Sequence, residues 1–276
     1  MTGRITSTAN PRVQAAARLR GRRERDRQGL TLIDGVRETL RAVQAKAVLR
    51  EVFVVPELLA DQEGQALRER LAEERIEVVE LGREAFEKLA YGDRLDGVVA
   101  VAETPPRSLD ALILPPEPLI AVIEGVEKPG NLGAILRSAD GAGLNAVIVA
   151  ESATDLFNPN IIRASISTVF AVPVAVASSG DLLDWLKRRD IAIIAARVQG
   201  SVDYAEADYR GAVAIALGSE ARGLSDPWAE LARASVKLPM LGVADSLNVS
   251  ATAAVLFYEA LRQRTVRQAG TQLPSG

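Results

Sequence analysis

Short apolar runs alternate with amphipathic stretches along most of this 276-residue chain. In the first part, TLIDGV (31–36), EVFVV (51–55), IEVVE (76–80) and GVVAVA (97–102) are rich in β-branched residues and read as strands. Between them, 37–49, 62–75 and 83–90 repeat their apolar residues at helical spacing and read as helices. The stretch ETPPRSLDALILPPEP (103–118) then sets five prolines among sixteen residues, which predicts a linker over 105–117. Strand-like runs return at LIAVIEG (119–125), AVIVA (146–150), VPVAVA (172–177), IAIIAAR (191–197), VAIALG (213–218) and SVKLPM (235–240), and a last helix is expected over 246–264. Strands that are apolar on both faces and separated by helices belong to parallel sheets covered on both sides. The pattern therefore predicts two α/β domains, 1–104 and 118–266, followed by a flexible tail over 267–276.

Composition narrows the chemistry more than the fold. There is no Cys and no His, which excludes disulfides, thiolate nucleophiles, Cys/His zinc sites and any triad built on imidazole. No paired acidic motif suggests a metal, and no apolar stretch approaches the roughly 20 residues of a membrane span, so no metal, no membrane and a cytoplasmic location are expected. The net charge of −3 hides an asymmetry: residues 1–27 carry eight Arg against Glu24 and Asp26, a net of +6, while the rest sums to −9. A basic head on an acidic body suits a nucleic-acid handle. It suits a solvated Arg-rich helix equally well.

GVEKPGNLGAIL (125–136) keeps the glycine spacing of a phosphate-binding loop, but Asn131 and Leu132 stand where Lys and a hydroxyl residue are required. GAGLNA (141–146) fits a dinucleotide fingerprint, yet it follows a helix and precedes a strand, so a helix cap and turn is expected there. Three stretches place small or amide residues at strand ends and helix starts beyond what packing needs. In the first, Asn131 could simply cap a helix, and Arg137 sits among apolar residues where it needs a partner or an anion. The second, ALGSEARGLSD (216–226), runs a strand into a glycine-rich turn with Glu220. In the third, LPMLGVADSLNVSATAAVLFYEAL (238–261), Ser246, Asn248, Ser250 and Thr252 line the start of the last helix.

Taken in order, these stretches resemble the SpoU/TrmH family of the SPOUT class, S-adenosylmethionine-dependent RNA ribose 2′-O-methyltransferases. Asn131, Gly133 and Arg137 match its first motif, Gly218, Glu220 and Gly223 its second, and Pro239, Met240, Ser246, Leu247, Asn248 and Ser250 its third. The start of the chain, ITSTANPRVQAAARLRGRRERDRQGLTLIDGVRE, resembles the L30e-like RNA-binding domain of rRNA-modifying members. The resemblance implies an α/β L30e-like domain ahead of an α/β SPOUT domain with a parallel sheet and a deep trefoil knot. It implies S-adenosylmethionine as cofactor, held at Gly218, Leu238 and Leu247 with Arg197, Met240 and Gly223 nearby. It assigns the reaction to Arg137, Asn131, Glu220, Ser246 and Asn248, and RNA contacts to Arg12, Arg18, Arg22, Arg23 and Arg37. A homodimer is implied too, with Val255, Leu256 and Tyr258 of the last helix contributing apolar surface. The N-terminal domain favours 23S rRNA as substrate; tRNA, or a catalytically silent RNA-binding role, are the alternatives.

Overall fold

The structure is a computed structural model and describes residues 3–91, 96–126, 128–151 and 154–270, with side chains through Thr265. The chain forms two compact units. One comprises the residues up to Pro105 together with Asp155–Ala171, and the other Pro106–Thr154 with Val172 onward.

In the first unit, α1 (Pro11–Arg18) starts on Pro11 and is capped by Asn10, whose side chain accepts from the Arg12 amide at 2.9 Å. Next, α2 (Arg22–Gln28) stops at Gly29 in the left-handed region. The remaining elements are β1 (Leu30–Asp34), α3 (Val36–Gln44), β2 (Leu49–Val54), α4 (Gln62–Glu73), β3 (Val78–Glu80), α5 (Arg83–Glu87) and β4 (Val98–Glu103). The sheet order is β1-β4-β2-β3; β4 runs antiparallel to both neighbours and only β2 and β3 are parallel. The parallel sheet expected here is therefore mixed. Strands buried on both faces carry the same apolar run in either direction, so their pattern does not encode direction.

The second unit contains β5 (Leu119–Glu124), α6 (Pro129–Gly141) and β6 (Ala146–Ala150). After α7 (Pro159–Ser165), it resumes with β7 (Val174–Ala177), α8 (Ser179–Arg188), β8 (Ala192–Ala196), β9 (Val202–Asp203), β10 (Val213–Leu217), α9 (Asp226–Glu230), β11 (Ala234–Lys237) and α10 (Val249–Gly270). Here every pairing is parallel, in the order β7-β6-β5-β10-β8-β11-β9. The sequence pattern missed β9, which is only two residues long.

Three expectations change. The segment carrying α7 packs in the first unit rather than with the residues flanking it: Arg25 grips Asp155 at 2.5 Å, Thr31 donates to the Phe157 carbonyl at 2.6 Å, and Arg163 meets Asp34 at 3.1 Å. The stretch 105–117 is not a free tether. Leu112 is buried in the core of the second unit, and the Arg107 carbonyl accepts from Val176 at 2.8 Å, because proline interrupts ladders without preventing burial. The last helix runs on to Gly270, into the expected tail, and 271–276 lie outside the described residues. GAGLNA is a helix end, with Gly143 at φ 70° and the Leu144 amide returning to Ala139 at 2.9 Å.

Candidate active site

The strands of the second unit run side by side, so the loops leaving the carboxyl ends of β8, β10 and β11 gather at one edge of the sheet. They enclose a cleft of about 950 Å³. Its lining contains Arg197, Gly218, Glu220, Gly223, Leu238, Met240, Ser246, Leu247 and Asn248, nine of the positions singled out from sequence.

The loop after β10 folds back on itself. The Gly223 amide donates to the Ser219 carbonyl at 2.8 Å, and Gly223 takes φ 66°. A Cβ on Gly218 would lie 2.0 Å from the Gly223 carbonyl carbon and 2.1 Å from the Leu224 nitrogen. Glycine is required there by the loop's own backbone, whatever ligand the cleft holds. The far side of the loop is pinned by Glu124, a buried carboxylate at the end of β5. It accepts from the Ser225 amide at 2.7 Å, the Ser225 hydroxyl at 2.7 Å, Ser179 at 2.9 Å and Trp228 Nε1 at 2.9 Å. Sequence reasoning missed Glu124; a carboxylate ending an otherwise apolar strand was the available signal.

Glu220 is the centre of a polar network. Its Oε1 accepts from Asn131 at 3.1 Å and from Asn248 at 2.5 Å, and its Oε2 accepts from Lys128 at 2.7 Å. Asn248 also donates to Asn131 Oδ1 at 3.2 Å, while its own Oδ1 accepts from the Ser250 amide at 2.9 Å and so caps α10. Asn131 therefore serves this network and does not cap α6, whose N-cap is Lys128. Lys128 holds the Glu220 carboxyl below the usual carboxylate range, and both amides add to the effect. Lys128 went unnoticed in the sequence because it precedes the motif it serves. Ser246 lines the cleft but makes no hydrogen bond in the network.

Arg137 is absent from the cleft. Six residues beyond Asn131 on an α-helix amounts to about a third of a turn around the axis, and Arg137 is exposed with no hydrogen bond or ion pair among the described residues. Arg197 lines the cleft and pairs with Asp226 at 3.1 Å. No group of three or more Asp or Glu is placed to hold a metal among the described residues, and none of their helices is long and apolar enough to cross a membrane.

The basic head is less free than its charge suggested. Arg12 pairs with Glu51 and Glu77 at 2.6 and 2.8 Å, Arg4 with Glu57, Arg27 with Glu24 and Arg22 with Asp26, and buried Arg25 is structural. Arg18, Arg23 and Arg37 are exposed and without ion pairs among the described residues. On α10, Leu256 lies in the monomer core with Ala253, Phe257 and Ala260, so it cannot serve a dimer face; Tyr258 is half-exposed and Val255 partly so.

Comparison with known proteins identifies the family. Residues 118–258 match the model of the SpoU rRNA Methylase family, and residues 10–100 match an MRM3-like substrate binding domain. A 23S rRNA (uridine(2479)-2′-O)-methyltransferase of Streptomyces viridochromogenes is 33% identical over 95% of this chain and 92% of its own length. A crystal structure of an RNA 2′-O ribose methyltransferase superposes with a TM-score of 0.83 at 44% identity, covering 95% of this chain and all of that one. The SpoU methyltransferase AviRb from Streptomyces viridochromogenes, solved in complex with AdoMet, gives 0.82 at 31% identity over 93% of this chain and 98% of its own. A cleft at the ends of three parallel strands, Glu220 and Asn248 on its wall with Asn131 bonded to both, and a family match over residues 118–258 lead to one conclusion: this chain belongs to the SpoU rRNA methylase family.

Proposed function

We propose that this protein transfers the methyl group of S-adenosylmethionine to a ribose 2′-hydroxyl of 23S rRNA. The observation that carries the reading is the convergence of Asn131, distant in sequence, on Glu220 and Asn248, which line the cleft. The cleft fits the cofactor: apolar walls from Leu217, Leu238 and Leu247 alternate with main-chain groups at strand ends, as an adenosine and an amino-acid tail require. Bound there, S-adenosylmethionine supplies an electrophilic methyl, so the chain itself needs no imidazole or thiolate.

The residues of the chain orient the hydroxyl and manage its charge. Lys128 keeps Glu220 ionised, and the carboxylate fixes both amide side chains, which leaves them preorganised to hold the ribose. Arg137 stabilises negative charge developing on the 2′-oxygen and orients the adjoining phosphate; a guanidinium is too weak a base to take the proton outright. Since Arg137 does not line its own cleft, that role belongs to a homodimer in which it serves a second copy. Fully exposed Leu241 and Val243 and half-exposed Tyr258 supply apolar surface for such an assembly. The carboxyl-terminal part of the second unit is proposed to be threaded as the trefoil knot of its family, and the protein to work in the cytoplasm without a metal. Exposed Arg18, Arg23 and Arg37 on the first unit hold rRNA phosphates.

The reading is tested by transfer of tritiated methyl from S-adenosylmethionine to unmodified 23S rRNA, followed by mapping of 2′-O-methylated positions. Transfer to a single ribose is expected from the wild type and loss of it from Glu220→Ala. Failure of the wild-type protein to label any RNA would overturn the assignment.

A further inference from the structure

A second crevice, of about 490 Å³, lies beside the main cleft and shares Ser219, Arg222 and Gly223 with it. Its other walls come from the carboxyl ends of β5, β6 and β7, through Gly125, Glu151 and Ser179. The chain passes outward from β5 to β6 and β7 on one side, while β10 and β8 lie on the other, so strand order reverses at β5. In open parallel sheets the crevice at that reversal is the place where ligands sit. In this protein the larger cleft opens elsewhere, at β8, β10 and β11, and the reversal point is left without an assigned role.

Two side chains give the crevice a chemical character. Arg222 is exposed and has no ion pair or side-chain hydrogen bond among the described residues. Glu151 stands directly after β6 at φ 50°, a backbone region L-residues rarely adopt. Its Oε1 accepts from the Ser179 amide at 2.7 Å, which leaves Oε2 available. The other carboxylate in the crevice, Glu124, is occupied by its four donors and does not compete for a ligand. A cation and a carboxylate facing one pocket suit a ligand that is anionic at one end and a hydrogen-bond donor at the other. Arg222 is two residues from Glu220, at most about 7 Å of backbone. A phosphate on Arg222 is thus within one nucleotide's reach of a ribose held at the Asn131–Glu220–Asn248 network.

We propose that this crevice is a ribonucleotide subsite: it takes the nucleotide adjoining the one methylated, with a phosphate on the Arg222 guanidinium and a hydroxyl or amine of the nucleoside donating to Glu151. This rests on the methyltransferase reading. It adds a substrate position outside the three motifs and makes Arg222 and Glu151 determinants of which RNA is accepted.

Two measurements test it. With S-adenosylhomocysteine saturating the main cleft, ribonucleoside 5′-monophosphates titrated by NMR should bind at millimolar concentration. Binding should weaken about tenfold in Arg222→Ala and also in Glu151→Gln, and inorganic phosphate should bind more weakly than the nucleotides. With unmodified 23S rRNA, Arg222→Ala should raise KM about tenfold and flatten the slope of log affinity against log salt by roughly 0.7, one phosphate contact on a single strand. Glu151→Gln, which lies outside the main cleft, should keep affinity for S-adenosylmethionine within twofold, and Arg222→Lys should recover part of the loss. Phosphate binding as tightly as nucleotide, or an unchanged KM and salt slope in Arg222→Ala, would overturn the subsite. A wild-type enzyme that methylates no RNA would instead overturn the activity, and the nucleotide titration would still decide the crevice.

Discussion

Glu220 is tied to three side chains of its own chain, whereas Arg137 is tied to none, and the two should therefore respond differently to substitution. Arg137→Lys should leave the melting temperature and cofactor affinity unchanged while single-turnover methyl transfer falls on the order of a hundredfold, the usual cost of losing an oxyanion donor. The view that Arg137 neutralises Glu220 structurally is excluded, because Lys128 already does so. Asp34 is a different case. It is buried, one carboxylate oxygen has no partner, and burial pushes it up to about 6 despite the Tyr91 amide and Arg163. A folded-state value above the unfolded one means that the folded protein holds this proton more tightly, so the contribution of Asp34 to stability is fully present below about pH 4 and is lost as pH rises through about 6. The stability of Asp34→Asn relative to wild type should thus grow by roughly 1–3 kcal/mol between pH 4 and 7, read from denaturant melts. Ser167 is buried at φ 62° with an unpartnered hydroxyl. Ser167→Gly relieves both penalties and should stabilise by about 1 kcal/mol in the same melts.

Among the elements, the loop between β10 and α9 matters most for the site. It is pulled to the end of β5 by Glu124 and closed by the contact of Gly218 with Gly223. Glu124→Gln turns one of two acceptor oxygens into a donor that faces donors of the loop or of α8. Calorimetry should show S-adenosylmethionine affinity falling about tenfold or more with the fold retained, since a buried unsatisfied group costs about 1–3 kcal/mol. Unchanged affinity would show that the loop holds its shape without the anchor. Ten of the eleven strands among the described residues show as apolar runs, most plainly β4, β5, β6 and β10, whose interiors are buried on both faces. The direction of β4 does not show, nor does the placement of α7, since Leu156, Phe157, Ile161 and Ile162 state only that the segment is buried and not against what. The same holds for α10: helical periodicity separates Leu256 from Tyr258, but only the packing reveals which of them the chain itself covers.

At the scale of the whole molecule, the +6 head does not act as one electrostatic unit. Deleting residues 1–27 would remove the buried Arg25–Asp155 pair and the core residues Val13, Ala16 and Leu19, so it would test folding rather than RNA binding. The sound variant is Arg18→Gln with Arg23→Gln and Arg37→Gln. The salt slope of RNA affinity should flatten by roughly 2 to 3 if each contacts a phosphate, with circular dichroism unchanged. A slope equal to wild type would return these arginines to solvation.

The sequence alone determined the alternation of buried strands and helices, the absence of imidazole and thiol chemistry, the two stretches that line the cleft and a third that supplies Asn131 beside it. All of these are local, and each is written in residue type and spacing. Tertiary structure decided the rest. It joined Lys128, Asn131, Glu220 and Asn248 into one network, moved Asp155–Ala171 into the first unit, tied up most of the N-terminal arginines and left Arg137 outside the cleft. Partners brought together by parallel strand order are dozens of residues apart along the chain. A pattern read over a dozen residues carries no information about which distant carboxylate, amide or cation will face it once the sheet has formed.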